Sequence, residues 1–482
     1  MHPQRKGVGA PRGWWLAVAA LIALAATLRW LRLGEWSYWS DEAFTLSDAH
    51  AFVAGTAETG GPEHKLSFAV YGLYFEWLRS MGVFVDEFVA RSLPAAFGVL
   101  GVAATILLGA RAAGHPGALF AGLLVAVSPF HLYWSQNARS YAMEIVMAIP
   151  AGLLLGRAIL SGSRSVLVAG IALLGAAAFA HPTALALVPP ILVFAAVARG
   201  VDSASPVRRN VWLWLLVAAA LAAVLTLSPL GLAVWKHFRN KSGASPALFV
   251  TTVAYYFRPT LLAAAAICAF RGWRRRDLDS QFLALLGFGT LASGLAASLV
   301  VRVNAQYVVA ALPFLALLVG RELAMLVWSH GAGLKTAAAG FALTLLADFS
   351  AGAFLYFGPE HGHRAHWREA CEFVWKRREP GDLVAATQAT IVECYLNPGN
   401  LEPRDVRSAL YLGKYLPEKF ESLPTLSRRV WILVLDVDLD EWPSDVRTRF
   451  RSFLRDECKA AAEWPLQISG KDQTLRVWRY DP

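Results

Sequence analysis

A polytopic α-helical membrane protein of about eleven spans, followed by a small soluble α/β domain, is the fold class that this 482-residue sequence predicts. Three observations carry it. The chain is 56% hydrophobic and only 17% charged, with a mean hydropathy of +0.43, so lipid rather than water must solvate much of its surface. Apolar runs of roughly 18 residues or more, long enough to cross a ~30 Å hydrocarbon core as helix, recur from residue 14 to residue 357. From Gly358 onward the composition returns to an ordinary mixture.

The apolar runs predict spans at 14–33, 92–110, 117–133, 141–160, 165–181, 183–199, 210–228, 249–270, 281–300, 306–325 and 335–357. The first follows Arg5, Lys6 and Arg12, and Ala23 to Ala26 are similar to a signal-peptide cleavage site. Because the residues of chemical interest begin directly after it, a retained anchor is expected. A cytoplasmic N-terminus puts Arg111, Arg157, Arg164, Arg199, Arg208, Arg209, Arg271, Arg274, Arg275, Arg276, Arg321 and Lys335 inside, as the positive-inside bias requires. The odd span count then sends the tail outside.

Residues 34–91 are too long for a simple turn. They carry Phe68, Tyr71, Phe75 and Trp77 at helical spacing, which predicts interfacial helices on the outer surface. The tail shows helical patterns at His366–Arg378 and Ser444–Glu457 and strand-like runs at Asp382–Ala386, Val430–Val437 and Thr474–Tyr480. That alternation predicts an α/β domain over 358–482, after a membrane domain over 1–357.

The net charge of +10 is dispersed among apolar spans instead of forming a stripe, so a nucleic-acid partner is not expected. Cys268 lies in a span. The tail's Cys371, Cys394 and Cys458 lack the paired spacing of a zinc site, and a disulfide among them stays open.

The first outer loop contains Trp39-Ser40-Asp41-Glu42-Ala43-Phe44-Thr45. Two readings fit it: Ser40 capping a helix whose dipole favours the two acids, or a carboxylate pair with a chemical role. Further on, Gln136-Asn137-Ala138-Arg139-Ser140-Tyr141-Ala142 puts an Arg between two long apolar runs with no acid beside it in sequence. It reads either as a snorkelling Arg or as a ligand for an anionic lipid phosphate. Other outer cations, Lys236, Arg239, Lys241 and Arg302, carry the same two readings.

These segments resemble the GT-C superfamily of glycosyltransferases, and within it the family 39 and aminoarabinose-transferase-like group that includes the protein O-mannosyltransferases. Val89-Ala90-Arg91-Ser92-Leu93-Pro94, Gln306-Tyr307-Val308 with Leu312-Pro313-Phe314, His366-Trp367-Arg368-Glu369-Ala370 and Pro380-Gly381-Asp382 are similar to family patterns in the same order. The resemblance implies that Asp41 is the catalytic carboxylate, that Glu42 supports it and that Arg139 binds the carrier phosphate. It extends, with Tyr141, to a loop where relatives carry prolines and this chain has Glu63-His64-Lys65-Leu66-Ser67. Glu63, His64 and Lys65 are matched there without those prolines. His181, in Ala180-His181-Pro182, has a similar His in relatives, and as a lone His it also reads as a satisfied interfacial residue. Arg258, in Tyr255-Tyr256-Phe257-Arg258-Pro259, is costly within a span unless it is paired or near a lipid phosphate.

The implied reaction is transfer of a sugar from a polyprenyl-phosphate donor to an envelope lipid, protein or glycan acceptor, on the extracytoplasmic face of a bacterial inner membrane. A phosphate leaving the anomeric carbon gains charge that Arg139 and Lys65 stabilise, and Asp41 takes the acceptor's proton, so the displacement inverts. No cofactor is expected. His361-Gly362-His363-Arg364-Ala365-His366 has two readings: three histidines in six residues could ligate zinc, but no nearby Cys or acid completes a set, and the run is expected to be a solvated, flexible linker with no required metal. Two rivals remain: a lipid or solute transporter or flippase, which internal repeats would favour and none is seen, and a ligase or polymerase using lipid-diphosphate oligosaccharides.

Overall fold

The computed structural model describes residues 13–55, 65–199, 243–327, 331–396, 409–413 and 417–482. The predicted span 210–228, the cations Lys236, Arg239 and Lys241, and the candidates Glu63 and His64 lie outside the described residues, as does the side chain of Lys65.

The chain begins with α1 (Trp14–Trp30), two shorter helices α2 (Ser40–Val53) and α3 (Lys65–Ser80), and the long α4 (Glu87–Val127). Next come α5 (Pro129–Ser135), α6 (Tyr141–Ser161), α7 (Arg164–Ala180), a 3-10 turn at Pro182–Leu187 and α8 (Val188–Arg199). Then follow α9 (Pro246–Phe257), α10 (Pro259–Arg274), α11 (Leu278–Ser298), α12 (Ala311–Val327) and α13 (Ala332–Phe357). By length and composition α4, α6, α11 and α13 are each able to cross a membrane, and the bent pair α9–α10 makes a fifth candidate. This count, which takes the two arms of α4 as one helix and covers the described residues alone, does not confirm the expected eleven or so spans; α1, α7 and the Pro182–Ala198 helix are apolar but shorter.

Two of the predicted spans, 92–110 and 117–133, run together in α4, whose backbone turns back at Gly114 (φ 75°, ψ 161°). That φ suits glycine, which has no Cβ to clash. The two arms then fold against each other, where a Cβ on Gly122 would come within 2.2 Å of Ile106, and the first arm continues against α5, where a Cβ on Gly101 would meet His131 at 3.3 Å. The predicted span 249–270 is instead two helices meeting at 91°. Pro259 lacks the N–H that would continue the ladder, and Arg258 before it sits at φ 66°.

Small residues let α12 press against the second arm of α4. A Cβ on Gly320 would meet the Gly117 carbonyl oxygen at 2.1 Å, backbone that has no rotamer to give. Gly320→Ala is therefore expected to destabilise the protein by about 1–3 kcal/mol, the range for overpacking. Thermal unfolding in detergent checks this, with Gly333→Ala, a glycine whose Cβ meets nothing within 4 Å, as the silent control.

The tail is a five-stranded sheet with helices on both faces. Strands β1 (Leu383–Ala386), β2 (Leu410–Tyr411), β3 (Val430–Leu435), β4 (Cys458–Trp464) and β7 (Leu475–Tyr480) lie in the order β2-β1-β3-β7-β4, while β5 (Gln467–Ile468) and β6 (Lys471–Asp472) form a separate hairpin. β1 pairs in parallel with β2 and β3, and β7 runs antiparallel to β3 and β4. Every residue of β3 is buried, as a central strand covered on both faces requires. Val430, Ile432 and Val434 pack with Phe450 and Leu454 of α16 (Ser444–Glu457), whereas Trp431, Leu433 and Leu435 share a core with α14 (Trp367–Trp375) and α15 (Ala389–Leu396). That second core continues into Tyr38, Ala43, Leu46, Tyr71, Phe75 and Ala138, so the sheet is built onto the loops that follow α1 and α5.

A carboxylate and arginine cluster at one end of the helices

Glu42 is the centre of the arrangement. Its side chain is fully buried and accepts two hydrogen bonds from Arg91, Nε to Oε1 at 2.8 Å and Nη2 to Oε2 at 2.7 Å. Backbone N–H groups of Ala138 (2.9 Å) and Trp39 (3.0 Å) donate to the same carboxylate, and Arg364 Nε approaches at 3.3 Å. Burial alone would push this carboxyl up; the Arg91 and Arg364 charges and the donated hydrogen bonds outweigh it and hold the group at about 2. Helix α2 starts at Ser40, but the expected Ser40 cap is not what closes its first turn. Trp39 occupies the N-cap, and Glu42 reaches back to the Trp39 N–H.

Arg91, fully buried at the start of α4, spends its remaining donors on the carbonyls of Leu33 (3.2 Å), Trp36 (2.8 Å) and Ser37 (2.7 Å). One guanidinium thus shapes the whole turn from α1 to α2. Gln136 fixes the other side. Its amide nitrogen donates to the carbonyls of Arg29 and Leu31, and its oxygen accepts from Tyr356 of α13 at 2.8 Å. The motif Gln136-Asn137-Ala138-Arg139 is therefore a brace between α1, α2 and α13, and each backbone direction is set before Arg139 is reached.

Asp41, beside Glu42 in sequence, points elsewhere. Its side chain is 34% exposed, and Oδ2 stands 3.8 Å from Arg139 Nη2. Arg139 Nη1 donates to Thr45 Oγ1 at 2.9 Å and to the Asp41 carbonyl at 3.2 Å, while Tyr71 Oη donates to the Arg139 carbonyl at 3.0 Å. Burial would lower the Arg139 pKa, but Asp41, Tyr141, Asp48 and Tyr307 raise it overall. Burial likewise raises Asp48 despite Arg139. The result is a cation held on one side by carboxylates and hydroxyls and 17% exposed on its side chain.

Tyr141 and His181 join this group. Their rings are 4.5 Å apart, His181 lies 6.1 Å from Tyr307, and Trp134 packs on Tyr141 at 4.1 Å. His181 Nδ1 is 2.6 Å from Thr183 Oγ1, which donates to Glu144 at 2.9 Å. Arg258 is placed differently. It faces Asp348 of α13 at 4.0 Å and packs beside Gly352 and Pro129, so its partner is a carboxylate in the helical body. The structure thus brings Asp41, Glu42, Arg139, Tyr141 and His181 together and pairs Arg258 with Asp348.

The expected solvated linker at 361–366 is not one. Gly362, Arg364 and Ala365 are buried; Arg364 donates to the Gln136 carbonyl at 2.9 Å and covers the Tyr133 ring at 5.0 Å. Its tie to Glu42 explains why the segment is ordered. Sequence reasoning did not single out Arg91 as a site residue, although it lay inside a motif, and an Arg opening an apolar run signals a buried acidic partner. Arg364 had no such signal, because its neighbours in sequence are those of a polar junction. Asn137 was also passed over: its amide is fully buried and neither polar atom has a partner among the described residues.

No family model matches the sequence, nor does any curated protein. Solved structures do. ArnT from Cupriavidus metallidurans bound to undecaprenyl phosphate is similar with a TM-score of 0.59 at 14% identity, covering 98% of both chains. Its apo state gives 0.56 over 96% of this chain and 97% of that one, also at 14% identity. The oligosaccharyltransferase of Archaeoglobus fulgidus in its apo form gives 0.55 at 12% identity over 88% of this chain and 69% of that one. Likeness over nearly the whole length, helices and tail included, means that the chain has the GT-C fold.

Proposed function

We propose that the protein transfers a sugar from a polyprenyl-phosphate donor to an acceptor hydroxyl, with inversion, at the extracytoplasmic face of a bacterial inner membrane. The observation that carries this reading is the pairing of a part-exposed Asp41 carboxylate with the Arg139 guanidinium 3.8 Å away, both fixed by buried frames. An acceptor oxygen attacks the anomeric carbon as the bond to the phosphate oxygen breaks. The electron pair leaves with the phosphate, where Arg139 stabilises the growing charge, and the acceptor's proton passes to Asp41. Glu42 is a positioning residue in this scheme. Lys65, Glu63 and His64 remain proposed donor contacts, with Tyr141 and His181 forming an aromatic wall. Arg258, held by Asp348, is proposed to reach the donor's lipid phosphate only by leaving that pair.

The likeness to proteins solved with undecaprenyl phosphate and with dolichol-phosphate supports such a donor. The opposite end of the helices supports the orientation. Arg321 ion-pairs with Asp277 and Asp279 and donates to the Ala112 carbonyl, while Arg271 and Arg275 pair with Glu322. Along α4, Ala112 is about 30 Å of helix from Arg91, at 1.5 Å per residue. Arg271, Arg275 and Arg321 thus gather about a membrane thickness of helix away from Asp41, which supports a cytoplasmic place for them and, with it, an extracytoplasmic α/β domain over 358–482.

The test incubates detergent-purified protein with labelled polyprenyl-monophosphate sugars, diphosphate-linked oligosaccharides and envelope extracts. Transfer from a monophosphate donor is expected. Arg139→Ala should raise the donor KM about 10–100-fold, the worth of one or two charge-assisted hydrogen bonds. Transfer from diphosphate donors alone would favour the ligase reading, and lipid movement without transfer would favour the flippase.

A further inference from the structure

We propose that His361, His366 and Glu369 form a divalent-metal site, zinc by ligand type, that fastens the turn after α13 to the first turn of α14. One ligating atom from each side chain lies within 4.8 Å of the other two. The two imidazoles stack with centroids 4.0 Å apart at 29°. Two imidazoles and one carboxylate are a donor set that zinc takes, with a fourth position left for water.

The orientation of His361 is settled by its own hydrogen bond. Nδ1 is 2.8 Å from the Arg364 carbonyl oxygen, which only accepts, so Nδ1 carries the proton and Nε2 presents a lone pair. Second-shell bonds of this kind hold metal-binding histidines in place. Glu369 has a comparable support in Ser37 Oγ, which donates to it at 3.4 Å. His363, the third histidine of the run, faces away and pairs with Glu360 at 2.7 Å, so the site draws on two of the three.

The backbone gives an independent reason. His361, Gly362 and His363 have φ of 47°, 60° and 60°, three left-handed residues in succession, two of them bearing side chains. Such strain on residues that carry a Cβ concentrates at ligand clamps. Gly362 makes the turn feasible because Trp36 packs where a Cβ would be, 2.4 Å from its ring. Nearby cations are committed elsewhere: Arg32 to Glu35 and the Phe357 carbonyl, Arg364 to Glu42, and Arg368 to Glu87. His366 and Glu369 are 3.7 Å apart and form an ion pair when the imidazole is protonated, and His361 brings the third donor beside that pair.

A tetrahedral zinc with bonds of about 2.0–2.1 Å needs ligand atoms about 3.3 Å apart. The three side chains therefore close by at most roughly 1.5 Å on binding, within reach of side-chain rotation about χ1 and χ2. The ion would lock α14 beside Ser37 and Trp36, in the loop that leads to Asp41, without touching the reacting atoms.

The test uses tag-free, full-length protein in detergent, stripped with a chelator and dialysed against limiting zinc. Elemental analysis is expected to find one more zinc per chain than in His361→Gln/His366→Gln, and thermal unfolding should shift upward with zinc in the unaltered chain only. His363→Gln should behave as the unaltered chain. Cobalt(II) in place of zinc should give tetrahedral d–d absorption, a readout on the unaltered chain that does not depend on any variant folding. Equal zinc content in the unaltered and double-variant chains, or no tetrahedral cobalt spectrum, would overturn the proposal.

Discussion

Asp41→Asn is expected to lower the rate of sugar transfer by about 10²–10⁴-fold, the usual contribution of a positioned general base. The substitution keeps the size of the side chain and removes its ability to take a proton. It also leaves the surrounding frame intact, because Glu42, Arg91 and Gln136, not Asp41, hold the loop. Donor binding should survive, since Arg139 keeps its bonds to Thr45 and to the Asp41 carbonyl. The measurement is single-turnover transfer from a labelled polyprenyl-phosphate sugar, alongside donor binding at equilibrium. An Asn variant that transfers at the parent rate would remove the proposed role of this carboxylate.

Glu42→Gln is expected to act on stability first. It leaves Arg91 and Arg364 charged, buried and short of their counterion, and breaking one side of a buried pair costs about 3–5 kcal/mol. The same pair makes a pH prediction. In the folded chain the carboxyl is depressed to about 2 from an ordinary 4.5. A group depressed on folding stabilises the fold above its unfolded value, and that stabilisation is lost as pH falls through the folded one. The gap between the two values is worth about 3 kcal/mol, so unfolding midpoints should fall between about pH 5 and pH 2 in the parent and much less in Glu42→Gln. Thermal unfolding in detergent across that range reads both effects, and parallel pH profiles for the two chains would sink the assignment.

Much of the helical body was legible because apolar runs announce themselves: α6, α11 and α13 fall on the predicted runs 141–160, 281–300 and 335–357. What misled was continuity. The run 249–270 is uninterrupted in hydropathy, yet Pro259 and the left-handed Arg258 break it, and composition does not weigh one missing N–H. In the tail, β1, β3, β7 and α16 lay where alternation and periodicity put them, whereas β4 was unread because its Lys-Ala-Ala-Ala-Glu face is largely exposed and lacks an apolar alternation. The site divides the same way. Asp41 and Arg139 stand in short motifs, so their pairing was approachable from sequence. The difference between Asp41 and Glu42 was not, since adjacent acids diverge only when Arg91 and Arg364 arrive from distant segments.

Arg364 has a consequence for how the polypeptide is made. It meets Glu42 across 322 residues of chain, so the first loop is translated and inserted long before its second counterion exists. Until the ribosome has delivered the segment after α13, Glu42 has Arg91 alone, and the loop bearing Asp41 lacks the bond that closes it from below. An insertion intermediate is therefore an unfinished machine, and a chain truncated at residue 358 would be stranded at that stage.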